Sequence, residues 1–432
     1  MDNKLEYLNL KQLFSGKSKD RLASLIMLFY LLSENIDIVL HALIPSSLLG
    51  FDFAAVFENL FLACAIFLYY IFLNKDYSKK TKVWPIYLFS FIFILSAVFF
   101  YPEYKDWLYH EKYGLSTRNF QLCGGMFALL YISMVDNKTR LASLFIYSAR
   151  INLFFYIIQF LNVLRRGYWI SAYGSHINYS LAFGYRVAIV ACLFLTLFFL
   201  NGKESDLISF LISFIMIVLQ GSRGALGCIA SASCLLLLFR LPAKVQIAKK
   251  KIGRTIVAFV LCISLLCAFI VGFSLYDNSF IDKVTTKGIR YSRTVQLLWE
   301  GNIDSGSGRE RIWGVAIDAI QESEVFGYGF YGDRHIVGKQ LVFGYPHNFV
   351  LEVLLQFGVP FGVFLILLLF WNIIKMGREC NDISWSFIYI FLLSSCSKLL
   401  LSDSFWYYWP FWALIGILCV WKQQVNDKYK NV

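Results

Sequence analysis

Long apolar runs recur along almost the whole of this sequence. A helix needs roughly 20 apolar residues to cross about 30 Å of hydrocarbon. We find about twelve such runs, at residues 22–44, 51–73, 84–101, 119–135, 141–164, 178–200, 207–219, 225–241, 255–275, 348–374, 383–401 and 405–421. Only 16% of the residues are charged, against about 25% in soluble proteins. The sequence therefore predicts an all-α polytopic membrane protein.

Positive residues are distributed unequally between the two sides of these runs. The formal net charge of +12 would by itself allow a nucleic-acid-binding protein. Most Lys and Arg residues between the runs, however, fall in alternate connecting segments, with clusters at 79–82 and 249–254. This distribution follows the positive-inside rule. It predicts a multi-pass protein with both termini in the cytoplasm, a retained first helix and no nucleic-acid partner.

One long segment, residues 276–346, departs from the helical pattern. The charge asymmetry places it outside the cytoplasmic membrane. We therefore expect three parts: a bundle of about nine membrane helices at 1–275, an extracytoplasmic loop domain at 276–346 and about three membrane helices at 347–432.

Two features stand out within the loop domain. Residues 309–322 predict an amphipathic helix, because apolar side chains recur on one helical face. That face holds Ile312, Trp313, Ala316, Ile317 and Ile320. Residues 326–332, Phe-Gly-Tyr-Gly-Phe-Tyr-Gly, predict sharp turns with aromatic side chains near water, as interface anchors or as platforms for sugar rings.

Two arginines lie inside apolar runs, where a charged side chain costs roughly 2.5–3.5 kcal/mol on insertion scales. Arg186 is about 12 Å below the outer surface at 1.5 Å per residue, and Arg150 is near the middle of its run. A cost of this size indicates either a ligand or a structural ion pair. The acids considered as partners are Glu34, Asp37 and Glu352.

A short outer turn carries a third arginine in the sequence Ser222-Arg223-Gly224. Small residues recur at every fourth position after it, at 224, 228 and 232, which predicts close helix packing. Packing explains the small residues but not the arginine. A guanidinium on a rigid turn is suited to bidentate capture of phosphate.

The loop domain meets the tenth run at Tyr345-Pro346-His347-Asn348. Asn348 is suited to cap a helix that begins there. A histidine titrates near physiological pH and can take a proton from a hydroxyl, so His347 is a candidate general base; capping or packing is the alternative. The remaining histidines, which we interpret as packing residues, are His41, His110, His176 and His335.

Together these motifs resemble the O-antigen ligase and O-antigen polymerase superfamily of integral membrane glycosyltransferases. The resemblance rests on Ser222-Arg223-Gly224, on Arg-Glu-Arg-Ile-Trp at 309–313, on Val-Phe-Gly-Tyr-Gly at 325–329, and on His347-Asn348 with Gly358 and Gly362 downstream. Their order and the large outer loop before the tenth run also agree. The resemblance covers residues 222–362.

The resemblance implies a GT-C-like enzyme of the bacterial cytoplasmic membrane that needs no metal or cofactor. Its substrate would be a glycan on undecaprenyl pyrophosphate, among membrane lipids, and an acceptor hydroxyl would displace the lipid pyrophosphate with inversion. His347 would be the base, and Arg223 and Arg309 would bind the pyrophosphate. Further pyrophosphate-binding candidates are Arg186 and Arg311, and the supporting residues are Asn348, Tyr345 and Ser222.

The sequence favours a polymerase over a ligase within this superfamily. In ligases of this superfamily, a glycine separated by nine residues from the His-Asn pair is followed three positions later by Gly, Thr or Tyr. In this sequence Gly358 is followed at that spacing by Phe361, and Gly362 comes one residue later. A lipid-linked oligosaccharide flippase is disfavoured, because transporters are commonly built from repeated halves. A non-enzymatic export scaffold would not need arginines inside membrane helices. Docking of a chain-length regulator on the outer loop stays open.

Overall fold

The computed structural model describes residues 5, 7–44, 52–73, 83–108, 121–135, 137–166, 168–170, 176–177, 180–220, 222–238, 309–323, 325–341, 344–380 and 382–430. We number the α-helices of these residues in chain order. They are α1 (Leu10–Leu13), α2 (Ser18–Leu43), α3 (Phe53–Leu68), α4 (Trp84–Phe100), α5 (Lys105–Leu108), α6 (Ala128–Met134), α7 (Lys138–Arg166), α8 (Leu181–Asn201), α9 (Glu204–Gln220), α10 (Arg223–Leu238), α11 (Arg309–Glu322), α12 (Gly332–Gln340), α13 (Phe349–Phe357), α14 (Val359–Glu379), α15 (Ile383–Cys396) and α16 (Trp409–Lys430).

The chain divides into two compact units that interleave along the sequence. The first unit comprises the described residues of Met1–Glu6, Ala149–Ser305 and Asn381–Lys398. The second comprises those of Tyr7–Ser148, Gly306–Cys380 and Leu399–Val432.

Helix α8 is the centre of the first unit. It packs against α9, α10 and α15. The Ser180 hydroxyl caps its start by accepting from the Phe183 amide, and Gly202 ends it with a φ of +64°. Strands β1 (Trp169–Ile170) and β2 (His176–Ile177) pair antiparallel, with Trp169 opposite Ile177.

Aromatic side chains form much of the core of the second unit. Phe93 of α4 stacks on Phe357 with ring centroids 4.3 Å apart, and it also contacts Trp406 and Phe330. Helix α16 packs on α6, and α11, α12 and α13 pack on one another.

Helices α13 and α14 replace the single apolar run predicted at 348–374. The break is at Gly358, where φ is +75°. A Cβ on this residue would lie 2.2 Å from the carbonyl oxygen of Val325, so only glycine fits. Pro360 lies in the first turn of α14, where its missing N–H costs no helical hydrogen bond.

Six helical segments among the described residues are long and apolar enough to cross a membrane, or seven if α4 and the segment Pro102–Leu108, bent by 101°, count as one span. This confirms a helical polytopic membrane protein. The runs predicted at 207–219, 225–241 and 405–421 also form helices, namely α9, α10 and α16. The described residues of the run at 119–135 form a 3-10 turn at Gly125–Phe127 and the short helix α6, and the run at 255–275 lies outside the described residues.

Candidate functional site

The segment that carries His347 is held from both ends in the second unit. His347 has a φ of +54°, a left-handed conformation that is rare outside glycine. Asn348 caps α13, as predicted: its side chain accepts from the amides of Val350 and Leu351 at 3.0 and 3.2 Å. The same side chain donates to the Leu400 carbonyl at 3.2 Å. The backbone around the imidazole is therefore tightly constrained.

Tyr345 lies directly against the imidazole. The two ring centroids are 4.1 Å apart, with the planes inclined at 48°. Tyr345 itself is buried, whereas His347 is half-buried. The imidazole thus has one face supported by a packed aromatic ring.

Helix α11 is docked on the His347 segment. The Trp313 indole Nε1 donates to the Pro346 carbonyl at 3.1 Å. Arg309 is the first residue of this helix and is half-buried, and Arg311 is exposed. One unit therefore contains the candidate base and a helix that starts with two of the candidate cations.

The predicted amphipathic helix has the predicted bounds, and its apolar face is only partly covered by the rest of the unit. Ile312 and Ala316 are buried, whereas Ile317 is 46% exposed. Ala319 is buried in its place and packs with Leu355 of α13. The face is rotated toward Ala319 because α13 lies on that side.

The Gly-rich loop after α11 closes the end of α13. Gly327 and Gly329 have φ angles of +64° and +72°, which confirms the predicted sharp turns. The amides of Tyr328 and Gly329 donate to the carbonyls of residues 355 and 356 at 2.7 and 3.0 Å. These bonds satisfy carbonyls that a helix end leaves unpaired.

The aromatic side chains of this loop have different environments. Phe326 is 87% exposed, in line with the expected position near water. Phe330 and Tyr331 are fully buried, which corrects that expectation for both residues. They stack on each other with centroids 4.1 Å apart. Neither ring is available as an interface anchor or a sugar platform.

In the first unit, Arg186 lies between aromatic rings. Its guanidinium carbon is 6.0 Å from the centroids of both Tyr156 and Phe183. Cation–π contacts of this kind offset part of the cost of a charge in an apolar helix. None of the three acids considered from the sequence is among these contacts.

Arg223 is the first residue of α10, at the helix end predicted for it, and its side chain is outside the described atoms. Ser222 is buried, and its hydroxyl accepts from the Ala225 amide at 3.4 Å. Cys228 and Ala232 are buried on α10. This agrees with the close helix packing predicted from the small residues.

Sequence reasoning overlooked Lys398 in the same unit. Its Nζ lies 4.6 Å from the ring centroid of Tyr185, the residue before Arg186. A lysine inside an apolar run is as costly as an arginine, so the insertion argument would have identified it.

Arg150 forms an ion pair with an acid that the sequence did not suggest. Its guanidinium lies 3.8 Å from Asp206 at the start of α9. Asp206 is buried, and Arg150 is partly exposed. This favours the structural interpretation of Arg150, with Asp206 in place of the acids that were considered.

Glu352, one of those acids, is paired with Arg334 instead. The Arg334 Nη1 atom is 3.0 Å from Glu352 and 2.6 Å from Asp333, and all three side chains are fully buried. No pattern in the sequence singles out Arg334 or Asp333 among the charges of the loop.

Among the described residues, three ligand-type side chains converge at the end of α2. His41 Nε2 lies 3.3 Å from Asp37 and 3.4 Å from Asp52. Their ligand atoms are close enough together to hold a metal ion. Asp52 also caps α3 by accepting from the Ala55 amide. This cluster links the ends of two helices in the second unit.

The predicted site residues thus divide between the units. Arg186, Ser222 and Arg223 belong to the first unit. The second unit holds Arg309, Arg311, Tyr345, His347 and Asn348.

Residues 208–367 match the family model described as O-antigen ligase. The matched range includes Ser222-Arg223-Gly224, helix α11 and the His347 segment. No curated protein and no solved structure is significantly similar to the chain. The family match therefore shows that residues 208–367 are similar to the O-antigen ligase family, and it supports the resemblance to the O-antigen ligase and polymerase superfamily of glycosyltransferase-like membrane proteins.

Proposed function

We propose that this protein is a polysaccharide polymerase. It joins oligosaccharide repeat units carried on undecaprenyl pyrophosphate, at the outer side of the bacterial cytoplasmic membrane, in the synthesis of O-antigen, capsule or exopolysaccharide. The observation that carries the proposal is the bond from Trp313 to Pro346, because it docks the helix of Arg309 and Arg311 on the segment of His347. That arrangement supplies a base and cations within one unit.

The proposed reaction is a metal-independent inverting glycosyl transfer. The hydroxyl oxygen of the acceptor forms a bond to the anomeric carbon of the donor sugar. The bond from that carbon to the pyrophosphate oxygen breaks, and the lipid pyrophosphate leaves with the electron pair. His347, as neutral imidazole, takes the hydroxyl proton. Its constrained backbone and the Tyr345 ring hold the imidazole in one orientation.

The departing pyrophosphate requires positive charge. We assign this role to Arg309, with Arg311 as its neighbour on the first turn of α11. Arg186, Arg223 and Lys398 are separate candidates for the same role, each to be tested by its own substitution. Arginine presents paired N–H donors that match phosphate oxygens, whereas lysine acts as a point charge.

We also propose the membrane topology that the distribution of Lys and Arg predicts. Both termini are cytoplasmic, residues 276–346 form the extracytoplasmic domain, and about twelve membrane helices make a GT-C-like architecture. Partners are the lipid-linked glycan, as donor and acceptor, and membrane lipids.

A ligase is the second candidate, because the matched family is described as O-antigen ligase. A ligase would transfer the lipid-linked glycan once, to a different lipid or protein acceptor. The two functions use the same base and leaving group, so product analysis must separate them.

The decisive test is a reaction of the purified protein with a lipid pyrophosphate-linked repeat unit as the sole substrate. A regular ladder of products on a gel supports the polymerase. If a verified substrate gives no ladder but one transfer occurs when a second acceptor is added, the protein is a ligase. If neither a ladder nor a single transfer product forms, both functions are rejected.

The roles of His347 and Arg309 are tested on the same reaction. His347→Ala should reduce polymerisation at saturating substrate by about 100-fold or more, whereas His176→Ala in β2 should not. Arg309→Lys should bind the donor more weakly than the parent, and Lys339→Ala, which removes an exposed cation from α12, should not. Polymerisation by His347→Ala at the parent rate would disprove the base role.

A further inference from the structure

A network of buried charges lies next to the His347 segment. Arg334, Asp333 and Glu352 are all fully buried. Moving a charge out of water is costly, and an apolar replacement of a buried ion pair is often at least as stable. Stability alone therefore gives a weak reason for placing three charges here.

The charged groups of this network have good hydrogen-bond partners. Arg334 Nη2 donates to the Ser404 hydroxyl at 2.8 Å, and that hydroxyl is also bonded to Glu352. Asp333 accepts from the Gln356 side chain at 2.7 Å, and Gln356 accepts from the Trp406 indole at 2.9 Å. The network joins α12, α13 and the segment 404–406. Networks satisfied in this way hold their elements rigidly.

Aromatic rings connect the network to the imidazole. The guanidinium carbon of Arg334 is 4.3 Å from the ring centroid of Tyr331 and 5.4 Å from that of Tyr345. Tyr345 in turn packs on His347, 4.1 Å between centroids. Only one side chain thus separates the buried guanidinium from the proposed base.

Backbone strain is concentrated around the same network. Within the described part of the chain, the residues other than glycine with positive φ are Tyr331, His347 and Asp403, at +64°, +54° and +70°. Tyr331 stacks on Arg334, and Asp403 accepts from the amide of Ser404. Such conformations persist where surrounding contacts hold them, and they cluster at functional sites.

We infer that Arg334 and Glu352 are positioning residues for His347. Their ion pair fixes Tyr345 and the start of α13, and these fix the imidazole in the orientation that accepts the acceptor's proton. The inference rests on the proposed function for the base role of His347, but the placement of the ring can be measured without turnover.

The first test measures how fast the His347 imidazole reacts with a modifying reagent. Glu352→Gln keeps the shape of the side chain and removes one charge, and Glu379→Gln, at the exposed end of α14, is the matched control. The rate at which diethyl pyrocarbonate modifies each histidine would be read by peptide mass spectrometry between pH 5 and 9. In Glu352→Gln the pH profile of His347 should change while that of His41 does not. An unchanged His347 profile would overturn the inference.

The second test is a double-mutant cycle on polymerisation. Glu352→Gln should lower kcat by about 10- to 100-fold, as small misplacements of a catalytic group do. In the His347→Ala background it should have no further effect, because the two changes act on one group. If Glu352→Gln lowers kcat by the same factor in the parent and in His347→Ala, the positioning role is contradicted. The same holds if the loss of kcat is fully explained by a smaller fraction of folded protein. If His347→Ala polymerises normally, the base role of His347 fails instead, and the modification profile alone decides whether Arg334 and Glu352 place its ring.

If Glu352→Gln does not fold, Arg334→Lys provides a second variant for the same measurement. Lysine keeps the charge but cannot contact both carboxylates and Ser404 as guanidinium does. The His347 modification profile should shift in this variant also, and an unchanged profile in a folded variant would count against the inference.

Discussion

The hydroxyl of Tyr185 occupies the space that a side chain at Gly224 would need. A Cβ on residue 224 would lie 1.8 Å from that oxygen. A side chain at residue 224 would therefore force the Tyr185 ring to move out of the contact between α8 and α10. The contact also places Tyr185 beneath Lys398.

Gly224→Ala should destabilise the protein by about 1–3 kcal/mol, the usual cost of overpacking. Gly314→Ala is the matched control. Gly314 lies inside helix α11 with open space around it, so alanine there should stabilise by up to about 1 kcal/mol. Thermal unfolding of both variants in the same detergent measures the difference, and equal midpoints would show that the Tyr185 contact is not tight.

Trp313→Phe should lower kcat for polymerisation by up to about tenfold. The phenyl ring keeps the apolar packing but loses the N–H that holds the Pro346 carbonyl, a bond worth about 0.5–1.5 kcal/mol. Trp371→Phe is the control, because Trp371 is 67% exposed on α14. Initial rates with the lipid-linked substrate would show the effect. Parent-like turnover in Trp313→Phe would mean that docking of α11 is not needed.

Lys398→Met should raise the KM for the lipid-linked donor by about tenfold if this cation contacts the pyrophosphate. Its effect on stability should stay near the 0.5–1 kcal/mol of an exposed cation–π contact. Lys422→Met, at an exposed position on α16, should leave KM unchanged. A normal KM together with a lower melting temperature would assign Lys398 to packing on Tyr185.

Arg150→Ala should lower the melting temperature more than Asp206→Asn does. Removing the arginine leaves the buried Asp206 carboxylate without this counter-charge, which costs about 1–3 kcal/mol, whereas the amide needs no counter-charge. Activity per folded molecule should be unchanged in both. Loss of donor binding in Arg150→Ala at full stability would instead make Arg150 a ligand-binding residue.

His335 should make the stability of the protein depend on pH. Burial, assisted by Lys339, lowers the pKa of His335 below its ordinary value of 6.5. The unfolded chain therefore binds the proton more readily, so stability is full above pH 6.5 and is lost as the pH falls toward the folded-state pKa. Melting temperatures of the parent and of His335→Gln from pH 5 to 8 test this. The parent should lose more stability on acidification, and parallel curves would contradict the prediction.

Local patterns were predicted well because they depend on neighbouring residues. The bounds of the helix at 309–322 follow from its period, and the cap at Asn348 follows from a short side chain at a helix start. The exposure of Ile317 could not be predicted from this period, because only the position of α13 decides which part of the apolar face is covered.

The partners of buried charges were predicted poorly. Arg150 and Asp206 are far apart in sequence, as are Glu352 and Ser404, and no periodicity links them. Arg150 and Glu352 could be recognised as costly because they lie inside apolar runs, but their partners could not.

The sequence by itself determined that this chain crosses a membrane repeatedly, and it carried the motifs of the superfamily. The length of an apolar run and the charges beside it determine how that segment inserts into the bilayer, and this does not depend on contacts with distant segments. Tertiary structure alone decided that the run at 348–374 breaks at Gly358, that Arg334 is buried between Asp333 and Glu352, and that His347 adopts a left-handed backbone conformation. These features depend on contacts between distant segments, whose geometry exists only once the chain has packed.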